Sequence, residues 1–166
     1  MIRKEFERLV EECCLTECLG CGKCTSCCPF SELFGDLRRG RSPRHIIEAA
    51  LFNADLIDGD TIWCCPTCNE CTERCPAGVR IRDFLTGIRR LAIKSGNDAH
   101  AVNCKRCGSY ILPETSHNHL VGKLMGEGGQ KPEFLFFCPR CRAVDHSRRV
   151  KETLPGSLQI PQMKTG

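Results

Sequence analysis

Aromatic side chains are scarce in this sequence: one Trp, one Tyr and eight Phe among 166 residues. That excludes a large apolar core, and a chain of this length divided into lobes leaves each lobe a thin one. No apolar run approaches the roughly 18 residues needed to span a bilayer, so direct membrane insertion is excluded and any membrane association would go through a partner. The start, Met1-Ile-Arg-Lys-Glu-Phe-Glu-Arg8, is charged and amphipathic and lacks the apolar core of a secretory signal; the expected compartment is the reducing cytoplasm. Also missing are a Ser-His-Asp or Cys-His nucleophile arrangement, a phosphate-cradling glycine loop and a Rossmann fingerprint. A flavin, nicotinamide or direct small-molecule substrate site is therefore not expected.

What the sequence has instead is sixteen cysteines. In a secreted chain they would suggest a disulfide scaffold, whereas in a reducing compartment clustered cysteines bind metal. Two runs, Cys18-Leu-Gly-Cys21-Gly-Lys-Cys24-Thr-Ser-Cys27-Cys28-Pro29 and Cys65-Pro-Thr-Cys68-Asn-Glu-Cys71-Thr-Glu-Arg-Cys75-Pro76, both fit C-x-x-C-x-x-C-x-x-x-C-P. Three thiolates two residues apart can wrap three corners of a 4Fe-4S cubane, and the fourth corner must come from elsewhere. A structural zinc site or a disulfide framework would not require a third cysteine at that spacing followed by Cys-Pro, twice. The pattern resembles that of bacterial two-cluster ferredoxins, in which the Cys-Pro cysteine of one run ligates the cluster of the other. The resemblance implies one 4Fe-4S cluster on Cys18, Cys21, Cys24 and Cys75 and a second on Cys65, Cys68, Cys71 and Cys28. Metal must then supply part of the folding energy that the thin cores lack.

Around the runs the apolar periodicity is helical. Ile2, Phe6, Leu9, Val10, Cys13 and Cys14 predict an amphipathic helix over 2–15. A short helical turn is expected over 31–37, followed by the basic loop 38–44. Ser42 as cap and Pro43 at the first position then open a helix carrying Ile46, Ile47, Ala50, Leu51 and Ala54, ending near Ile57. Ile81, Phe84, Leu85, Ile88, Leu91 and Ala92 form the stripe of another helix, stopped at Lys94-Ser-Gly96. A small bacterial ferredoxin surrounds its clusters with strands, whereas the spacer 29–64 here is helical. The expected fold class is mainly α: an all-helical two-cluster ferredoxin-like domain over 1–95, followed by a small zinc-ribbon β lobe. Gly20, Gly22 and Gly78, in or just after the cluster loops, are candidates for bringing backbone amides to the sulfurs.

Residues 96–103 read as a polar linker. Beyond them Cys104-Lys-Arg-Cys107 and Cys138-Pro-Arg-Cys141 form a paired C-x-x-C over 104–150, with strand-like 110–112 and 134–137 beside the knuckles. Four thiolates on two knuckles suit a closed tetrahedral zinc site. The lobe is similar to zinc ribbons and, more faintly, to rubredoxin, but Arg142 stands where rubredoxin usually has glycine; mononuclear iron is thus the second choice for the metal. The stretch 113–132 is read as mostly loop with a short helix over 120–125, and 151–166 as a tail.

Over about 1–94 the chain resembles the C-subunit of heterodisulfide reductase and its relatives. The carrying residues are the two runs, Pro43-Arg-His-Ile-Ile-Glu-Ala-Ala50, Ile62-Trp63-Cys64-Cys65, and Cys71-Thr-Glu-Arg-Cys75-Pro-Ala-Gly-Val79 with the helix after it. The resemblance implies an electron-transfer subunit without catalytic residues, relaying electrons through two 4Fe-4S clusters between a flavin-bearing subunit and an iron-sulfur catalytic subunit.

The remaining candidates have plainer readings. Cys13, Cys14, Cys27 and Cys64 are read as small apolar filler, and His117 and His119 as non-ligands. The arginines at 38, 39, 41, 44, 80, 82, 89 and 90 form a docking surface or merely a solvated face. The formal charge of +4 counts every cysteine as neutral; two cubanes and one four-thiolate zinc site, each about 2−, bring the chain to about −2. Nucleic acid is therefore disfavoured. It remains the rival reading, as a regulatory metalloprotein with Lys105, Arg106, Arg140, Arg142, Arg148 and Arg149 tracking phosphates.

Overall fold

A computed structural model of the chain describes residues 2–34, 41–52, 56–125 and 132–153. Among these the α-helices are α1 (Ile2–Glu12), α2 (Lys23–Ser26), α3 (Phe30–Phe34), α4 (Pro43–Leu51), α5 (Thr61–Cys64), α6 (Glu70–Glu73), α7 (Ile81–Ser95), α8 (Glu114–Met125) and α9 (Pro139–Thr153). One antiparallel pair, β1 (Ala101–Asn103) with β2 (Tyr110–Pro113), completes a mainly helical chain. None of the described helices is long and apolar enough to cross a membrane.

Helix α1 lays its apolar stripe on α7. Phe6 and Phe84 meet edge to face with centroids 6.1 Å apart, and Leu9 enters the space left by Gly87, where an added Cβ would stand 2.5 Å from Leu9 Cδ2. The helix stops sooner than the periodicity suggests: Cys14 turns left-handed at φ 56°, a 3-10 turn follows over Leu15–Glu17, and Leu15 is wholly buried. Helix α7 keeps Ile81, Phe84, Leu85, Ile88, Leu91 and Ala92 inside, as its stripe predicts. Gly96, at φ 94°, ends it, with its own N–H and that of Asn97 closing on Ile93 O and Ala92 O. Helix α4 begins where expected, with Ser42 Oγ accepting the His45 N–H at 3.2 Å, a cap worth about 1 kcal/mol. It ends at Leu51 rather than near 57; Ile46, Ile47, Ala49 and Ala50 are buried, whereas Leu51, expected on the apolar face, is exposed. Ala54, Leu37, Arg38 and Arg39 lie outside the described residues, as does the tail from 154 on.

The two cysteine runs fold alike. In each, the residue before the second cysteine and the residue after it are left-handed: Gly20 (φ 64°) and Gly22 (φ 74°) in the first, Thr67 (φ 58°) and Asn69 (φ 78°) in the second. Each run then enters a four-residue helix, α2 or α6, that carries the third cysteine. Glycine and asparagine tolerate this conformation; β-branched Thr67 does not.

The C-terminal part departs further from the sequence reading. Sheet register pairs Ala101 with Pro113, Val102 with Leu112 and Asn103 with Tyr110, so strand β1 occupies part of the stretch expected as linker. The expected strand 134–137 is a 3-10 turn over Glu133–Phe136, and Phe136 O there accepts the Lys105 N–H at 3.0 Å, which holds the turn on the first knuckle. Helix α8 starts at Glu114, not near 120, and α9 runs from Pro139, where the sequence pattern predicts none. This part packs on the rest: Trp63 and Tyr110 meet edge to face at 5.9 Å, and Asn97 Nδ2 donates to Ile57 O at 2.7 Å. His100 lies 3.2 Å from Asp60 and 3.4 Å from Glu114.

Candidate metal centres

Cys18, Cys21 and Cys24 line one pocket together with Cys75 from the other run; it encloses about 360 Å³, part of it open to solvent. Helix α2 presents Cys24, the loop before it presents Cys18 and Cys21, and the turn ahead of α7 brings Cys75 across. Gly78, at φ 70°, lies in that turn, and the next residue, Val79, donates its N–H to Cys75 Sγ at 3.4 Å. Burial pushes the Cys24 thiol up, with the Cys18 sulfur adding to the effect. Arg44 also lines the pocket, and its guanidinium pairs with Glu48 at 2.7 Å.

Cys28, Cys65, Cys68 and Cys71 form a second set whose sulfurs act on one another. Burial raises the Cys65 thiol; the Thr67 N–H at 3.3 Å and the Arg89 charge oppose this, while Cys68 and Cys28 add to it. Burial, then Cys65 and Cys68, pushes Cys71 up to about 12. Burial raises Cys28 too, with Cys68 contributing. Cys71 further senses Cys24, and α2 packs on α6, so the two sets are neighbours. Crowded, half-buried thiols resist ionisation unless cations take up the charge. Iron would supply that charge, and amides directed at sulfur, such as those of Thr67 and Val79, are the protein's usual contribution to an iron-sulfur site. The donor sets therefore fit 4Fe-4S clusters.

The third site is tighter. The Sγ atoms of Cys104, Cys107, Cys138 and Cys141 all lie within 4.8 Å of one another, and Cys107 and Cys138 are 3.7 Å apart. The edge of a tetrahedron with about 2.3 Å metal–sulfur bonds is about 3.8 Å. The Cys138 N–H donates to Cys104 Sγ at 3.3 Å and holds that thiol down at about 6. The Cys141 N–H likewise lowers Cys138. Burial, then its neighbour thiols, pushes Cys141 up to about 12. Among the described hydrophobic residues, only Ile111 and Phe137 pack beside the three buried cysteines of this site, so a metal held by the four thiols would stand in for a core.

Two of the other cysteines turn their thiols to backbone. Cys27 Sγ and Cys64 Sγ each lie 3.6 Å from a carbonyl, Cys24 O and Asp60 O, as thiol donors do, and Cys13 is buried with its thiol raised by that burial. Arg106 grips Asp145 with two bonds of 2.7 and 2.9 Å and Arg148 leans on the same carboxylate, so the basic patch around the third site is partly neutralised. Arg89, read from sequence as a surface charge, is 2% exposed. Its Nε donates to Ile62 O at 2.7 Å and its guanidinium to Cys65 O at 2.6 Å. A signal is present: Arg89 falls between Leu85, Ile88 and Ala92 at core-facing helical spacing.

Residues 14–79, which hold both cysteine runs, match the family described as "4Fe-4S dicluster domain". The C-subunit of the ferredoxin:CoB-CoM heterodisulfide reductase of Methanosarcina mazei is 41% identical over 80 residues, 48% of this chain and 47% of that one. The C2-subunit of the H(2)/formate:CoB-CoM heterodisulfide,ferredoxin reductase of Methanococcus maripaludis is 40% identical over 86 residues, 51% and 44% of the two chains. With the C-subunit of the H(2):CoB-CoM heterodisulfide,ferredoxin reductase of Methanothermobacter marburgensis the match is 35% over 121 residues, 70% and 61%. The chain thus spans about half the length of the first two.

Proposed function

We propose that the chain is an electron-transfer subunit of a heterodisulfide reductase-like complex, working in the cytoplasm between a flavin-bearing subunit and an iron-sulfur catalytic subunit. The observation that carries the reading is the pocket in which Cys75 of the second run joins Cys18, Cys21 and Cys24 of the first. In this reading Cys18, Cys21, Cys24 and Cys75 hold one 4Fe-4S cluster and Cys65, Cys68, Cys71 and Cys28 the other, within an all-helical ferredoxin-like domain. When bound, the clusters supply one-electron chemistry at potentials tuned by the surrounding amides, charges and burial. The chain's own contribution is to present eight thiolates in two adjacent sets, to donate Thr67 and Val79 N–H groups to sulfur, and to exclude water with α4, α5 and α7. Zinc is proposed for Cys104, Cys107, Cys138 and Cys141 in a ribbon-like lobe, as a redox-silent staple that takes no part in transfer.

Two measurements test this. Purified anaerobically from its native cell, the protein should come with flavin-bearing and further iron-sulfur subunits; alone it should accept electrons from a low-potential dye and turn over no substrate. A native pull-down returning nucleic acid and no redox partner, with binding falling steeply as salt rises, would replace the reading with the regulatory one. Metal analysis should give about eight irons and one zinc per chain. Nine irons with a rubredoxin-like visible spectrum would make the third site a carrier.

A further inference from the structure

Arg89 is a buried cation with no carboxylate partner among the described residues. Its two hydrogen bonds go to neutral carbonyls, Ile62 O and Cys65 O. A charge removed from water to this degree is strongly destabilising unless an opposite charge lies close by. The groups near it able to carry negative charge are Cys64, Cys65 and Tyr110. Cys64 directs its thiol at Asp60 O, and burial keeps the Tyr110 phenol neutral. That leaves Cys65 and whatever its sulfur binds.

Resting on the cluster reading above, we propose that Arg89 is the counter-charge of the cluster held by Cys65, Cys68, Cys71 and Cys28, and that it makes this cluster the more easily reduced of the two. Among the described residues the first set has no equivalent. The cations that line its pocket, Lys23 and Arg44, are both exposed, and Arg44 is already paired with Glu48, so their fields are screened. A buried positive charge stabilises the reduced, more negative cluster over the oxidised one and raises its potential. With both clusters bound, an electron given up by the one on Cys18, Cys21, Cys24 and Cys75 would rest preferentially on the one beside Arg89, the first oxidised by one as the second is reduced by one, with no bond or proton exchanged. The external donor is any low-potential one-electron reductant. The C-terminal lobe takes part: Tyr110 of β2 lies beside the guanidinium and against Trp63. By covering Arg89 it keeps water from screening the charge.

Anaerobic redox titration of the cluster-loaded full chain, followed by paramagnetic resonance, tests this with Arg89→Gln and Arg89→Lys. In the unaltered protein the two clusters should reduce at different potentials. In Arg89→Gln the higher one should fall, with at least a tenfold loss in its reduced-to-oxidised ratio at fixed potential, about 59 mV for a one-electron couple; the lower one should stay put. Arg89→Lys, which keeps the charge but loses the forked donor, should restore most of the shift. An intact second cluster whose potential does not move in Arg89→Gln overturns the proposal alone. Loss of that cluster in both variants overturns it too, since the guanidinium would then act only by holding the Ile62 and Cys65 carbonyls. A full chain that holds no second cubane fails the cluster reading itself, a different and separately visible result in the iron count.

Discussion

Thr67 sits at φ 58°, a conformation that disfavours a β-branched side chain by about 1–3 kcal/mol. The first run has glycine at the matching position, and Asn69 two residues on adopts φ 78° without branching. Thr67→Asn should therefore relieve about 1 kcal/mol of strain, and cluster absorbance of the loaded protein should bleach up to about fivefold more slowly in denaturant. An unchanged rate would show that the strain is offset elsewhere. Cross-ligation is testable at the same scale. Cys75→Ser should remove the cluster of Cys18, Cys21 and Cys24 while sparing that of its own run, with iron falling by about half, whereas Cys27→Ser should leave the iron count unchanged. If Cys75→Ser instead removes the cluster of its own run, the assignment must be reversed. The cysteines are legible in the sequence because a cubane imposes their spacing, and the glycines of the first run mark its left-handed turns. Arg89 is legible only through its spacing on the inward face of α7; nothing local in the sequence names the Ile62 and Cys65 carbonyls that accept its hydrogen bonds.

Helices are legible where their signals are local. Ser42-Pro43 opens α4, Gly96 closes α7, and the α7 stripe holds residue by residue, since caps and periodicity lie within the segment itself. Helices α8 and α9 carry weaker signals: α8 buries Ser116 and His117, and α9 buries only Cys141. Helix α8 is held against α5 and the β1–β2 pair, segments distant in sequence, and the one local hint for α9, Pro139 at its first position, sits inside the knuckle motif and reads as part of it. Packing between distant elements is equally invisible, and Gly87 shows why. In isolation, Gly87→Ala should favour α7 by about 1 kcal/mol. Against α1 the new methyl meets Leu9 at 2.5 Å, and overpacking of this kind costs about 1–3 kcal/mol. The substitution should therefore be neutral to destabilising, by up to about 2 kcal/mol, and adding Leu9→Ala should recover part of the loss. Urea midpoints of the three variants decide it. If Gly87→Ala is stabilising by its full helix propensity, α1 does not press on α7 in solution.

At the scale of the whole molecule, the two metal chemistries proposed for this chain would differ in their response to acid. In the third site, the Cys138 N–H depresses the Cys104 thiol to about 6. A depressed group contributes stability that is present above its ordinary thiol value and is lost as pH falls through about 6. Cys141, raised to about 12 chiefly by burial, still carries its proton at neutral pH. A metal entering the site must displace that proton, so affinity falls about tenfold for each unit of acidification, and more steeply near 6 as Cys104 also takes up a proton. Both effects have the same sign. Competition against a metal-binding dye should therefore show zinc held firmly at about pH 8 and released far more readily at about pH 6.5, by a factor above about ten. Iron, bound at other sulfurs, should stay in place over that window. As zinc leaves, a lobe whose buried cluster is mainly its cysteines should lose order, and amide exchange should speed up in β1, β2 and α9. Zinc release that does not change with pH would mean that the four thiolates are already ionised and pre-arranged without metal, and that the lobe folds on its own.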